Sequence, residues 1–312
     1  MVWNLGQARP VNLSVTRAFF VSSVAVGAFA GSACAVSVGQ EGQVERVDKR
    51  FAITVEIPTL RLSTFDGAIE VRSWDKAEVL VQVELRGHDK EAISKIEVNA
   101  TQKEDTIEVS ARNGAKGGFV GIGYHVSSTA KLIASVPRNT NLVIRTGDGG
   151  VIVERVNGRA EIRTSDGPIR LTETTGELLA ETRDGNIQID DVSGRVECRT
   201  NDGGIQLSGT PTRLRARSDD GSVSLRIRTG ATMTDDWMVD TGDGSISLEL
   251  PEGFAAEIEA DPGSDGRVRN DLTLANVTGG TRDKRALKGS LGTGGRKLLI
   301  RTGDGTIHLT RY

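Results

Sequence analysis

Thr146-Gly-Asp-Gly149, Thr164-Ser-Asp-Gly167, Thr182-Arg-Asp-Gly185, Thr200-Asn-Asp-Gly203 and Ser218-Asp-Asp-Gly221 follow one another with their Asp-Gly pairs 18 residues apart, four times running. A fixed period of this size is the mark of a stacked repeat array. Outward from this stretch the same signature, followed by x-(Ile/Val)-x-(Leu/Val), recurs after Thr64, after Thr241 (Asp243-Gly244) and after Thr302 (Asp304-Gly305).

Within a unit the apolar residues alternate with period 2, which is a strand pattern. Val151/Val153, Ile169/Leu171, Ile187/Ile189, Ile205/Leu207 and Val223/Leu225 follow the Asp-Gly pairs. A second corner comes at Val156-Asn-Gly158, Thr174-Thr-Gly176 and Val192-Ser-Gly194. A second strand then sets Ala160/Ile162, Leu178/Ala180, Val196/Cys198 and Leu214/Ala216 on one side.

Two architectures fit this count. An antiparallel meander would use Asp-Gly as a two-residue hairpin turn, and would set Arg163 across from Arg170. A parallel β-helix would stack like on like, with large and small core residues complementing one another between coils. On its outer side, Arg159-x-Glu161-x-Arg163, Glu177-x-Leu179-x-Glu181 and Arg195-x-Glu197-x-Arg199 would alternate in sign from coil to coil. The expected fold is therefore all-β: a single-stranded parallel β-helix with about 18-residue coils in its centre.

The turn residues expected to shape the corners are Asp148-Gly149, Asp166-Gly167, Asp184-Gly185, Asp202-Gly203, Asp220-Gly221, Asp243-Gly244 and Asp304-Gly305. Glycine there is expected to supply positive φ, and Asp and Thr to bond the turn backbone. The Arg three residues before five of these Asp (Arg145, Arg163, Arg199, Arg217, Arg301) is expected to offset repulsion along the Asp column.

The whole chain of 312 residues divides as 1–35 signal peptide, 36–50 polar tether, 51–140 irregular coils, 141–250 regular coils, and 251–312 C-terminal coils. A Gly-rich insertion at 276–297 is expected to be mobile or to cover an edge. With 38 Gly and only 4% aromatic residues, the composition suits a thin stacked core with many corners. Net charge is −3; residues 1–35 carry two Arg and no acid, leaving 37 basic and 42 acidic residues, net −5. A sign-mixed, mildly acidic surface argues against nucleic acid or anionic lipid as partner.

Arg9 and Arg17 precede an uncharged, small-residue run from Ala18 to Ala33, the pattern of an export signal. Ala30-Gly-Ser-Ala-Cys34 resembles a bacterial lipobox, with Gly31 where Leu is usual, which would make Cys34 a lipidation site. Ala33-Cys34-Ala35 also reads as an ordinary cleavage site before Val36. The protein is thus expected in the cell envelope, touching membrane only through an N-terminal lipid. Cys198, in the position of Ile162 and Ala180, reads as a small core residue.

Elsewhere, Lys90–Lys95 suggests one helical turn, Trp74 a core or capping residue, and Gly114–Tyr124 a loop without a phosphate-binding pattern. His88, His125 and His308 are scattered, and one Asp per coil lacks the nonapeptide calcium motif, so no cofactor or metal is expected. Glu173 and Asp191, one coil apart, form the best carboxylate pair, at a strand spacing a retaining glycosidase could use. No aromatic platform accompanies them.

The lead-in Val136-Pro137-Arg-Asn-Thr-Asn-Leu142, the T-x-D-G-x-I-x-L coils, Leu250-Pro251 and the closing Arg301-Thr-Gly-Asp-Gly-Thr-Ile-His-Leu309 resemble a bacterial family known as putative adhesins with β-strand repeats, a domain of unknown function. The likeness spans about Phe51 to Thr310. It implies a right-handed β-helix, exported, adhesive or envelope-associated, with no catalytic residues to transfer. The function expected is a non-catalytic adhesin-like or scaffold protein binding an envelope protein or glycan through its sheet faces. The alternatives are a polysaccharide lyase or hydrolase and an envelope-stress sensor subunit.

Overall fold

The structure is a computed structural model that describes residues 34–38, 43–114, 128–279 and 285–312. The described chain is all-β, with one short helix, Lys90–Ser94, capped by Asp89, whose side chain accepts from the Ala92 N–H at 2.8 Å. No helix among the described residues is long and apolar enough to cross a membrane.

In the centre the strands stack in parallel, each coil over the last with an offset of 18 residues. Ile169 stands beside Ile187, Ile187 beside Ile205, and Ile205 beside Val223. On the other side of the coil Ala160, Leu178, Val196 and Leu214 form one core column, and Ile162, Ala180, Cys198 and Ala216 the next. Large meets small at the first step, Ala160 beside Leu178 and Ile162 beside Ala180, and beyond it one column stays large and the other small. The meander is excluded directly: Arg163 lies beside Arg145 and Glu181.

The strands form two faces. The front face holds the segments after Asp-Gly, and the back face those before it. The three longest strands, Ile169–Glu181, Ile187–Thr200 and Ile205–Ser218, run through both. The first two cross at Glu173 and Asp191, which adopt φ of 52° and 60°, a few residues before Gly176 and Gly194 at φ of 124° and 105°. The left-handed corner is therefore the second corner of the coil. The Asp-Gly corner differs from expectation: Gly149, Gly167, Gly185, Gly203, Gly221, Gly244 and Gly305 do not have positive φ. Space selects glycine there. A Cβ on any of these seven would overlap the carbonyl oxygen of the glycine one layer back in the stack.

Chain order and stacking order part company at both ends. The coil made by Thr59–Thr64 and Ile69–Trp74 lies between Thr106–Asn113/Thr129–Pro137 on one side and Asn141–Thr146/Val151–Glu154 on the other. Likewise Lys297–Thr302 and Thr306–Arg311 slot between the coil at 237–250 and that at 256–270. Beyond these the pairing turns antiparallel. Ile96–Lys103 and Glu78–Gly87 cover the N-terminal end, while Leu274–Gly279 and Leu287–Leu291 cover the C-terminal back face. Such hairpins shield an edge that would otherwise template pairing with another chain. The 276–297 insertion thus contributes an edge-covering strand, with 280–284 outside the described residues.

Two further expectations change. Gln43–Ala52, assigned in part to a tether at 36–50, is a strand paired antiparallel with Glu78–Gly87. Trp74 is half-buried at a turn, donating its indole N–H to the Glu78 carbonyl at 2.9 Å with Lys76 Nζ 4.7 Å from its ring centre. The large aromatic of the core is Trp237, beside Leu298 in the register, 5.5 Å from the Phe254 ring and bonded to the Thr212 carbonyl.

Candidate binding faces

The T-x-D-G signature builds a ladder along one edge of the stack. Thr146, Thr164, Thr182, Thr200, Ser218, Thr241 and Thr302 are buried. Thr164 Oγ1 lies 2.7 Å from the Gly147 carbonyl and 3.2 Å from that of Gly149, one coil back. Thr200 and Ser218 repeat this with Gly185 and Gly203 at 3.0 and 2.8 Å. The same hydroxyls accept the N–H of the glycine in their own turn, as at Gly185 and Gly203, both 3.2 Å. Threonine at this place satisfies backbone groups that stacking would bury unpaired.

The turn aspartates 148, 166, 184, 202, 220, 243 and 304 all point to solvent. Their neutralisation differs from expectation. Arg183 reaches Asp166 at 2.6 Å and Asp184 at 3.6 Å. Arg163 turns away to Glu181 at 2.6 Å and to Glu161, and Arg145 reaches Glu161 at 3.4 Å. The reason is alternation: three residues before Asp, the arginine points outward on the back face, among the glutamates of that sheet. Partial burial pushes the Glu161 carboxyl up, but the hydrogen bond and charge of Arg163, with Arg145 and Arg159, hold it below the usual range. The Glu181 hydrogen bond in turn raises Arg163.

Glu173 and Asp191 occupy the same column, both exposed. Asp191 is paired with Arg228 at 2.8 Å, and Arg228 also reaches Ser208 at 3.4 Å. Among the described residues no three His, Cys, Asp or Glu gather as a metal site. His308 faces Asp271 at 3.2 Å on the front face. Cys198 is buried, and burial together with the Glu197 charge pushes its thiol far above the ordinary range. Residues 1–33 of the signal segment and His125 lie outside the described residues, as does most of the 114–124 loop, while Cys34 and Ala35 belong to the strand Cys34–Val38, which pairs antiparallel with Gln43–Val47.

Both faces carry recesses. On the front, a trough of about 560 Å³ runs across successive coils, lined by the residues next to Asp-Gly, among them Gly150, Pro168, Asn186, Gly204 and Ser222. Its flank carries Arg170 and Gln188, hydrogen-bonded at 3.0 Å, and Gln206. Small residues one place after the Asp-Gly pair leave this trough open. On the back, a depression of about 190 Å³ is lined by Arg159, Arg195, Arg213 and Arg215 with Glu177 and Glu197. Sequence reading missed this arginine grouping, although Arg195 and Arg213, and Arg199 and Arg217, stand one period apart.

The family model that matches the chain is Toastrack DUF4097, over residues 58–310. No curated protein matches it. Among solved structures the chain is similar to a putative adhesin from Bacteroides fragilis, at 13% identity over 85% of this chain and 96% of that one, TM-score 0.40. It is similar also to a putative lipid binding protein from Parabacteroides distasonis, at 15% identity over 85% and 96%, TM-score 0.41. A putative adhesin from Parabacteroides merdae shares 10% identity over 85% and 95%, TM-score 0.40.

Proposed function

The chain belongs to the Toastrack DUF4097 family, and from that premise we propose that it is an exported, non-catalytic solenoid of the cell envelope that binds a protein or glycan through its sheet faces. One observation carries this reading. Outward side chains recur in parallel register over successive coils, so that Gln188 stands beside Gln206 and Arg199 beside Arg217. Such columns present many equivalent contacts to an extended partner and no singular reactive centre. The pairing of Asp191 with Arg228 supports a non-catalytic reading, since it engages that carboxylate in an exposed ion pair.

Export rests on the charge and hydropathy of residues 1–35, with either a lipid on Cys34 or cleavage before Val36 fixing how the mature chain is held. The coils wind right-handed, in keeping with the handedness of parallel crossover connections.

The test is a binding screen of the mature chain against envelope glycans and proteins, run beside lyase and hydrolase assays on acidic polysaccharides. Binding without cleavage is expected, and the Glu173→Gln/Asp191→Asn variant should bind almost as well as the parent, as solvent-exposed charges contribute about 1 kcal/mol or less each. Cleavage lost in that variant with the fold intact would establish an enzyme instead. Mass spectrometry of the mature N-terminus decides between the two modes of attachment.

A further inference from the structure

The outward side chains of the back face form three columns along the stack. One runs Arg159, Glu177, Arg195, Arg213; the next Glu161, Leu179, Glu197, Arg215; the third Arg163, Glu181, Arg199, Arg217. From Arg159–Arg163 to Arg195–Arg199 the first and third columns alternate in sign and pair, Arg159 with Glu177 at 3.1 Å and Arg163 with Glu181 at 2.6 Å, although Arg163 also stands beside Arg145 one coil earlier, with Glu161 between them. At the step from Ile187–Thr200 to Ile205–Ser218 the alternation stops. Arg195 now stands beside Arg213, and Arg199 beside Arg217. Like charges on adjacent strands repel, so the fold itself gains nothing from this arrangement.

Part of the excess is answered nearby. Arg213 lies 3.5 Å from Asp235, and Arg217 lies 3.2 Å from Asp219 and 3.6 Å from Asp240. Arg195, Arg199 and Arg215 have no acid within ion-pair distance among the described residues, and all three are exposed. Glu197 sits among them. The depression on this face crosses four strands, from Arg159 to Arg215, so an occupant would lie along the stack axis.

The chemistry narrows what that occupant is. Guanidinium groups match planar oxyanions with two parallel hydrogen bonds. Where arginines adjoin in a column, Arg195 with Arg213 and Arg199 with Arg217, they are spaced by the distance between strands, about 4.8 Å, close to the length of one sugar in an extended glycan. No aromatic side chain lines the depression, so a neutral sugar would find no ring to stack on. A lipid surface would need apolar side chains to insert, and among the described residues Met238 is the one large exposed apolar side chain beside the arginines.

We infer that the back face around Arg195, Arg199 and Arg215 binds an extended acidic glycan carrying about one carboxylate per sugar, laid across the arginine ladder. This rests on the proposed face-binding function and names its ligand class.

Polygalacturonate is the probe, titrated calorimetrically into the mature protein at low salt and at about 0.15 M salt, with its methyl ester as the neutral counterpart. Binding is expected to the acid and not to the ester, and to weaken with salt as exposed charge pairs are screened. The Arg195→Gln/Arg199→Gln/Arg215→Gln variant should bind at least tenfold more weakly with its urea midpoint preserved. Glu197→Gln should bind several-fold more tightly. Equal affinity of the triple variant would overturn the inference, and so would binding to phosphatidylglycerol vesicles without binding to polygalacturonate. If polygalacturonate fails while the wider screen retains another partner, this inference falls and face binding stands. A blank screen as well would remove both.

Discussion

The hydroxyl of Thr182 lies 3.1 Å from the carbonyl oxygen of Gly167, the turn glycine one coil back, and accepts the N–H of Gly185 in its own turn at 3.2 Å. One side chain thereby joins two coils at a turn where an added Cβ on Gly185 would overlap the Gly167 carbonyl.

Thr182→Val keeps the shape but removes the hydroxyl, leaving the Gly185 N–H buried without its partner. The expected cost is roughly 1–3 kcal/mol, read as a lower urea midpoint. Thr182→Ser should lose much less, because Ser218 fills the equivalent rung with Gly203 at 2.8 Å. Equal losses in the two variants would show that the methyl group matters and the ladder does not.

Gly185 and Gly230 separate two reasons for glycine. At Gly185 an added Cβ would overlap the Gly167 carbonyl, while Gly230, at φ of 92°, has open space around it. Gly185→Ala should cost about 3 kcal/mol or more, since backbone must move. Gly230→Ala should cost about 1–2 kcal/mol, the penalty for an L-residue in a left-handed conformation. The reverse order would place the positive-φ requirement at the Asp-Gly turn after all.

These two glycines also show what could be read in advance. Period and alternation made the Ile187 column legible, because an apolar residue recurring every 18 positions between fixed turns marks a stacked strand. The role of Gly185 was not legible: positive φ and close approach both select glycine, and only the stacked neighbour distinguishes them. The order of coils at the ends was hidden for a similar reason. Thr59–Trp74 carries the same local pattern as any coil, and nothing local says which neighbour it joins. The arginine grouping was within reach, because Arg195 and Arg213 are one period apart, but sign alternation holds only as far as Arg199.

Thr174 stands where Val156 and Val192 stand in their coils, and its hydroxyl is buried without a hydrogen-bond partner among the described residues. Thr174→Val should therefore raise stability, by about 1 kcal/mol, as an unsatisfied polar atom is replaced by a methyl of similar size. A fall in the urea midpoint would mean that the hydroxyl is satisfied in solution.

Glu161 has a carboxyl held below its usual range by Arg163, Arg145 and Arg159 against the opposing effect of burial. A carboxylate whose folded pKa is depressed adds stability above its unfolded pKa, about 4.3, and loses it as pH falls through the lower folded value. Glu161→Gln should be less stable than the parent at pH 7, and the gap should close as the solution is acidified. A gap unchanged by acid would show that the back-face ion pairs of Glu161 do not stabilise the fold.

The fold rests on parallel stacking in an 18-residue register, and neighbouring residues on one strand test that register most directly. Ile187 is fully buried between Ile169 and Ile205, while Gln188 points outward. Because strand side chains alternate, a register displaced by one would exchange the two environments. Urea unfolding of Ile187→Ala should show a loss of about 2–5 kcal/mol, and that of Gln188→Ala about 0.5 kcal/mol or less. Equal losses at the two positions, or the larger loss at Gln188, would contradict the stacked register.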